Sequence, residues 1–172
     1  IIATSVLNAD DVDDNLWKSA HAILAWHDLT YSAELIEKLI SCEVIVRIGV
    51  GFDNIDLEAA KKKNIVVCNV PDYGTNDVAD HAFALLLTLA RGIDRYNRQL
   101  IKDMRWEWET GGDLHRLTNL TFGIIGLGRI GTATAIRAKS FGMNVVFFDP
   151  YVPDGKDKAI NINRVNFMNE LI

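Results

Sequence analysis

The sequence predicts an α/β protein whose strands lie parallel within their sheets. Over the first 70 residues, short apolar and β-branched runs alternate with segments of helical spacing. The runs are continuously apolar, which is typical of parallel strands that helices cover on both faces. A second strand–helix–strand pattern, with a glycine motif between its first strand and its helix, follows residue 118. These two observations define the predicted fold class.

The first 70 residues contain four predicted strands and three predicted helices. The strands are Ile1–Ala3, Ala22–Ala25, Val44–Arg47 and Ile65–Asn69, and the helices are Asp10–Ala20, Ser32–Ile40 and Asp56–Lys63. Ser32 and Asp56 are the expected N-caps, because their side-chain oxygens can accept hydrogen bonds from the first N–H groups of a helix. We assign residues 1–70 to one domain.

A long helix is predicted next, from Asn76 to Lys102, within a connecting segment at residues 71–117. Its apolar residues recur at spacings of four and three, as in a packing stripe. The members of this stripe are Ala82, Leu86, Leu89, Ile93, Tyr96 and Leu100. The stripe either covers its own domain or forms a subunit contact, and the second interpretation predicts a homodimer.

Residues 118–172 carry the second α/β pattern, with strands at Leu120–Ile125 and Asn144–Asp149 and a helix at Ile130–Phe141. A G-x-G-x-x-G motif follows the first strand directly and opens the helix, and it consists of Gly126, Leu127, Gly128, Arg129, Ile130 and Gly131. Alone, such a motif is weak, and a glycine turn without a ligand is the alternative. Its position after a strand and before a helix is what the first βαβ unit of a Rossmann domain requires.

Each glycine of the motif has a physical role in binding a dinucleotide. Gly126 permits the tight turn, Gly128 lets the backbone approach a pyrophosphate, and Gly131 lets the helix pack close to the strand. The helix N-terminus offers N–H groups to the phosphates. Asp149, 18 positions after Gly131, can accept hydrogen bonds from the ribose hydroxyls and repel a 2′-phosphate. The cofactor predicted is NAD rather than NADP.

Composition excludes several other classes of function. The chain has 172 residues, 49% of them hydrophobic, and a mean hydropathy of +0.07, values typical of a globular protein. Its 23 acidic and 18 basic residues give a net charge of -5 without a basic run, so no direct nucleic-acid binding is expected. No apolar run has the length of a membrane span, and no cluster has metal-ligand spacing. Cys42 and Cys68, interpreted as reduced and buried, favour a cytoplasmic location.

Four stretches resemble the D-isomer-specific 2-hydroxyacid dehydrogenases. They are Val46–Asp56, Val67–Pro71, Gly123–Gly131 and Phe148–Tyr151. The details are most similar to the C-terminal-binding-protein branch, including the pair Trp26-His27. The resemblance implies a flavodoxin-like substrate domain followed by a Rossmann domain. It also implies NAD-linked interconversion of a 2-oxo acid and a D-2-hydroxy acid.

The resemblance further implies a substrate site in the first domain. Gly49, Val50 and Gly51 would present backbone N–H groups to the substrate carboxylate, and Arg47 would approach the carboxylate or the keto oxygen. Arg47 as a surface ion-pair residue is the alternative. Trp26 would wall the pocket, or else lie in the core, and His27 would line it. Asp53, Asn54 and Asp56 are expected to fix the loop and cap the next helix.

Three positions depart from the family pattern near the nicotinamide end, one of them Asp80, which stands where most family enzymes have Glu. Val78, a predicted cofactor contact, stands where that branch has a threonine, and Val50 stands where it has a hydroxyl.

By the resemblance, the catalytic Arg, Glu and His lie beyond the glycine motif, so no catalytic residue is assigned in this chain. The chain is expected to be a fragment without the C-terminal half and to be inactive alone. An NAD(H)-sensing, corepressor-like dimer and a ligand-free scaffold are the alternative functions.

Overall fold

The computed structural model describes residues 8–171, so the predicted strand Ile1–Ala3 lies outside the described residues. The chain divides into two compact units, one ending at Tyr73 and the other beginning at Gly74. Among the described residues, each unit contains a three-stranded sheet in which all strands are parallel. The predicted α/β class with parallel sheets is therefore confirmed.

The first unit has the spatial strand order β1-β2-β3. Its strands are β1 (Ala22–Ala25), β2 (Val44–Arg47) and β3 (Val66–Asn69), and its helices are α1 (Asp14–Ser19), α2 (Ala33–Lys38) and α3 (Leu57–Lys62). The register places Ala25 beside Arg47 and Arg47 beside Asn69. The carboxyl ends of the strands, where open α/β sheets bind ligands, therefore meet at one edge.

Both predicted N-caps are confirmed in this unit. The Ser32 hydroxyl accepts a hydrogen bond from the Leu35 N–H at 3.4 Å, and the Asp56 carboxylate accepts one from the Ala59 N–H at 2.9 Å. The first helix is shorter than predicted. It begins after Asp13, whose carboxylate caps it, and a separate 3-10 turn covers Ala9–Asp11.

Helices do not cover both faces of the first sheet within the described residues. All three helices contribute to one core cluster, which contains Trp17, Leu35 and Ala60 together with the strand residues Ile23 and Ile45. The opposite face is left to alternate strand residues, and the Leu24 side chain is 67% exposed. The same alternation turns Cys68 away from the core. Cys42 is buried as expected, but the prediction that Cys68 is buried was wrong.

The second unit has the strand order β4-β5-β6. Its strands are β4 (Thr121–Ile125), β5 (Asn144–Phe148) and β6 (Asn163–Arg164), and its helices are α4 (Thr75–Ala90), α5 (Ile93–Asp103), α6 (Arg129–Ser140) and α7 (Lys156–Ile160). Short 3-10 turns occupy Trp108–Gly111, Leu117–Asn119 and Met168–Glu170. The sequence did not predict α7 or β6. The core contains Phe83 of α4 and the fully buried Leu127, Ala138 and Phe147.

The prediction of one long helix from Asn76 to Lys102 was wrong. Gly92 adopts a left-handed conformation, with φ of 62°, and divides the segment into α4 and α5. A Cβ atom at Gly92 would lie 3.3 Å from the Gly111 backbone, so the break also permits a close approach between two chain segments. The apolar stripe consequently continues across two helices, and Leu89 and Ile93, on either side of the break, are 75% and 52% exposed.

No helix in residues 8–171 is long and apolar enough to cross a bilayer. The same residues contain no group of three or more His, Cys, Asp or Glu side chains arranged to hold a metal ion.

Candidate functional site

The glycine motif forms the tight turn after β4 and the first residues of α6, and we call Gly126–Gly131 the second glycine loop. Gly126 has a φ of 91°, which side-chain-bearing residues rarely adopt, and its N–H donates to the Phe148 carbonyl at 2.9 Å. A Cβ atom at Gly131 would lie 2.1 Å from the Gly126 carbonyl oxygen. Both observations agree with the turn and packing roles that the sequence assigned to these two glycines.

Leu127 anchors the second glycine loop to the core. Its side chain is fully buried, and its N–H donates to the Asp149 carboxylate at 2.7 Å. Its carbonyl accepts a hydrogen bond from the Thr132 hydroxyl at 3.4 Å. The structure thus places Leu127 beneath the loop surface, where it holds the loop in position.

Three N–H groups of the loop point to no acceptor in the part of the chain that the structure describes. They belong to Gly128, Ile130 and Gly131, at the N-terminal end of the 12-residue helix α6. Gly128 also has open space around it, since a Cβ atom there would meet nothing within 4 Å. Arg129 and Ile130 have exposed side chains beside these groups. Free N–H groups at a helix N-terminus bind anions, and phosphate above all.

Asp149 follows β5 and faces this loop. Each of its carboxylate oxygens accepts a backbone hydrogen bond, one from the Tyr151 N–H at 2.8 Å and one from the Leu127 N–H at 2.7 Å. These bonds, with a smaller contribution from the Arg164 charge, hold the pKa of Asp149 below its ordinary value against the opposing effect of burial. The carboxylate is therefore ionised at neutral pH. Each oxygen retains a lone pair for a further donor, such as a ribose hydroxyl.

A cavity of about 230 Å³ lies at the end of β5. Its lining includes Asp149, Pro150, Asp154 and Arg164. The guanidinium of Arg164 donates to the carbonyl oxygens of Asp149 and Val152, at 2.8 Å and 3.1 Å. Sequence reasoning missed Arg164, because nothing in its local sequence indicates that β6 brings it beside the end of β5.

The other glycine-rich loop follows β2, and we call Gly49–Gly51 the first glycine loop. Asn69 fixes it by donating from Nδ2 to the Val50 carbonyl at 2.8 Å, and the Val70 N–H donates to the Gly49 carbonyl at 3.0 Å. The Gly49 N–H donates to the Arg47 carbonyl at 2.9 Å. The N–H groups of Val50 and Gly51 have no acceptor among residues 8–171. Two of the three predicted N–H groups are therefore available to an anion.

The Arg47 side chain folds back over the first glycine loop. Its Nη1 donates to the Ile48 carbonyl at 2.5 Å, and a Cβ atom at Gly49 would lie 1.9 Å from the same nitrogen. The Nε atom is buried and has no hydrogen-bond partner among the described residues. Arg47 forms no ion pair with a described residue, so the interpretation of Arg47 as a surface ion-pair residue receives no support.

Trp26 and His27 lie after β1, at the same edge of the sheet. Their rings are 5.4 Å apart, and Trp26 is 50% exposed, so it is not an ordinary core residue. His27 is exposed, and its Nε2 lies 3.1 Å from Asp28 Oδ1. Asn54 donates to the carbonyl oxygens of Trp26 and Leu29, at 3.0 Å and 2.8 Å. The expectation that Asn54 fixes a loop is confirmed.

Val78 lies in the first turn of α4, with its side chain 49% exposed. This helix packs against α6, which carries the second glycine loop at its N-terminus. One link between the two helices is the ion pair of Arg137 with Asp80, whose Nε–Oδ1 distance is 2.6 Å. Val78 therefore lies on α4, which packs against α6, the helix that begins in the second glycine loop.

The strand, glycine turn, helix and terminal acid define the second unit as the opening part of a nucleotide-binding α/β domain of the dehydrogenase type. A family model described as D-isomer specific 2-hydroxyacid dehydrogenase, catalytic domain, matches residues 4–159. The chain belongs to the D-isomer-specific 2-hydroxyacid dehydrogenase family, as the sequence resemblance indicated.

Individual relatives agree with the family model. The chain is 33% identical to C-terminal-binding protein 1 of Caenorhabditis elegans over 96% of its length and 23% of that protein's. It is 39% identical to D-3-phosphoglycerate dehydrogenase of Methanocaldococcus jannaschii over 90% of its length and 29% of that protein's. The structure is similar to that of D-lactate dehydrogenase from Aquifex aeolicus complexed with NAD and lactic acid, with a TM-score of 0.81 and 34% identity.

That structural match covers 95% of this chain and 48% of the D-lactate dehydrogenase. The chain thus spans about half the length of the solved structure and less than a third of the two relatives named above.

Proposed function

We propose that the parent protein, meaning the longest natural chain that contains these 172 residues, is an NAD-dependent oxidoreductase. It interconverts a small 2-oxo acid and the corresponding D-2-hydroxy acid. The observation that carries this proposal is the second glycine loop, with an ionised Asp149 beside it. Three N–H groups at the start of α6 have no acceptor among residues 8–171. When bound, NAD supplies the hydride chemistry.

The residues of the second unit would hold the adenosine and phosphate end of the cofactor. The N–H groups of Gly128, Ile130 and Gly131 suit a pyrophosphate, and the open side of Gly128 leaves room for a close approach. Asp149 would accept hydrogen bonds from the ribose hydroxyls. Its negative charge disfavours a 2′-phosphate, which is why NAD is proposed over NADP.

The residues of the first unit would hold the acid. The free N–H groups of Val50 and Gly51 suit a carboxylate, and so does the positive charge of Arg47. Swinging away from Gly49 would let Arg47 satisfy its buried Nε by donating to an oxygen of the substrate. Trp26 and His27, exposed at the same edge of the sheet, would line the pocket.

The proton donor is proposed to lie outside these 172 residues, on the family's Arg, Glu and His. Among the described histidines, only His27 lies at the edge of the sheet that carries the first glycine loop and also lies close to a carboxylate. That carboxylate belongs to Asp28. Both side chains are well exposed, so the pair lacks the fixed, enclosed geometry that general acid catalysis needs.

Turnover by the parent protein and by residues 1–172 alone tests this division of roles. The parent protein should oxidise NADH with at least one of glyoxylate, pyruvate and hydroxypyruvate. The loss of NADH absorbance measures this reaction. Residues 1–172 alone should show no turnover, because losing general acid–base help costs about 10²–10⁴-fold and losing orientation costs more. Robust turnover by residues 1–172 would contradict the proposal and would make His27 the first residue to test.

A second candidate function is an NAD(H)-sensing dimeric interaction protein, similar to a corepressor. The similarity to C-terminal-binding protein 1 over 96% of this chain favours it. A parent protein that binds NADH, carries the family's Arg, Glu and His, and still reduces none of the oxo acids would support this candidate. We propose a cytoplasmic location for either function.

We further propose a homodimer through α4 and α5. Large apolar side chains are exposed to water along these helices and the loop that follows, and a dimer interface would cover them. They are Leu85, Leu89, Ile93, Leu100, Ile101, Met104, Trp106 and Trp108. The two-fold symmetry of a homodimer would pair this surface with its own copy.

Sedimentation tests the dimer. The parent protein should be a dimer at micromolar concentration, and Leu89→Glu should be a monomer, because the introduced charge would be buried in the interface. Leu89 is 75% exposed, so the unit itself should keep its fold. Ile40→Glu, at a 69% exposed position in the first unit, is the matched control and should stay dimeric. A monomeric wild type would rule out this interface.

A further inference from the structure

Arg164 places a second charge beside the cavity at the end of β5. Its Nη1 donates to Asp154 Oδ1 at 3.1 Å, and its Nη2 donates to the carbonyl oxygens of Asp149 and Val152. Its guanidinium carbon lies 5.9 Å from the centre of the Phe147 ring. Three-quarters of the Arg164 side chain is shielded from solvent, since only 23% is exposed. The guanidinium is therefore held in one place, next to the acid proposed to bind the ribose.

A guanidinium in this position is a potential phosphate ligand. Its planar fork of N–H groups matches phosphate oxygens, and it stays charged at any physiological pH. Asp149 and Arg164 line the same cavity, so a 2′-phosphate there would be repelled by one and attracted by the other. The charge of Asp149 alone therefore does not explain a strong preference for NAD over NADP.

Asp154 resolves this conflict, because its carboxylate accepts a hydrogen bond from Nη1, while Nη2 donates to the two backbone carbonyls. We propose that Asp154 is a specificity-determining residue, which keeps Arg164 neutralised so that the cavity rejects the 2′-phosphate of NADP. This inference rests on the proposed NAD site. It adds that the preference for NAD depends on two acids, Asp149 through direct contact and Asp154 through Arg164.

The geometry makes Asp154 a suitable residue to change. Its side chain is fully exposed, and an ion pair at such a site contributes little to stability. The backbone turn keeps its two hydrogen bonds from Arg164 Nη2 when Asp154 changes. Asp154→Asn therefore frees the charge of Arg164 while the turn and the position of Asp149 are retained.

Calorimetric titration of the parent protein with NADH and with NADPH tests the inference by binding alone. Asp154→Asn should bind NADPH about three- to tenfold more tightly than the wild type does, while the NADH affinity stays within about twofold. The gain should shrink at high salt, because the freed charge is partly screened. The double variant Asp154→Asn, Arg164→Met should return the ratio of NADPH to NADH affinity to the wild-type value or below.

Asp113→Asn is the matched control, since it removes one exposed negative charge from the same unit at a residue that does not line the cavity. It should leave both affinities unchanged. An unchanged NADPH affinity in Asp154→Asn would overturn the inference, and so would an equal gain in Asp113→Asn. A wild type that binds neither nucleotide would instead overturn the proposed function, and the inference with it. Thermal unfolding should show the same midpoint for wild type and Asp154→Asn.

Discussion

The two glycine loops of this chain stand in equivalent places and are built differently. Each follows the carboxyl end of a parallel strand, β2 for the first glycine loop and β4 for the second, and each leaves backbone N–H groups without acceptors among the described residues. In the second glycine loop, a long helix begins at once. After the first, α3 begins only at Leu57.

This difference decides where the positive charge comes from. The second glycine loop has the N-terminus of α6, whose aligned peptide dipoles favour an anion without any charged side chain. The first glycine loop has no adjoining helix and instead has Arg47 folded over it. Backbone alone can thus serve for a phosphate group, whereas the proposed carboxylate site depends on the charge of one side chain, that of Arg47. Substitutions should therefore affect the two loops in different ways.

The largest effect of this kind is expected at Arg47. Replacing Arg47 by Met removes charge-assisted hydrogen bonds worth about 1.5–3 kcal/mol, so kcat/KM of the parent protein should fall roughly tenfold to a hundredfold. The dissociation constant for NADH should not change, because the second glycine loop is untouched. Lys62→Met, which removes an exposed charge from α3, is the control. Unaltered steady-state kinetics in Arg47→Met would show that Arg47 does not hold the substrate.

A smaller effect, of about tenfold in NADH affinity, is expected in the second glycine loop. Gly131→Ala places a methyl group 2.1 Å from the Gly126 carbonyl oxygen, which should lower the free energy of unfolding by about 1–3 kcal/mol and weaken NADH binding. Gly128→Ala meets nothing within 4 Å, so it should weaken NADH binding without a loss of stability. Chemical denaturation and calorimetry separate the two variants. Full NADH affinity in Gly128→Ala would mean that the pyrophosphate does not approach this residue.

The sequence predicted best those features that depend on neighbouring residues along the chain. The N-caps Ser32 and Asp56 and the strands β1 and β2 were predictable because capping and apolar runs are local. The glycine motif was recognisable because its spacing is fixed by the strand, turn and helix that it joins. The first glycine loop carries no comparable spacing, and only its resemblance to a known family indicated it.

Features that depend on distant contacts were missed. The apolar spacing continues from Leu89 to Ile93, so the pattern concealed the break at Gly92, where the backbone has a positive φ and lies close to the distant Gly111. Cys68 lies in an apolar strand, but its exposure depends on which sheet face the helices cover. Arg164 acts on Asp149 only because β6 pairs beside β5.

The central claim is that the second glycine loop and Asp149 form a site for NAD. Calorimetric titration of the parent protein and its Asp149→Ala variant, with NADH and NADPH in turn, tests it most directly. The wild type should prefer NADH by at least about tenfold, and Asp149→Ala should lose that preference because the repulsion of a 2′-phosphate is gone. Both affinities should also fall in the variant, since the Leu127 N–H loses its acceptor. Equal affinity of the wild type for NADH and NADPH would contradict the account.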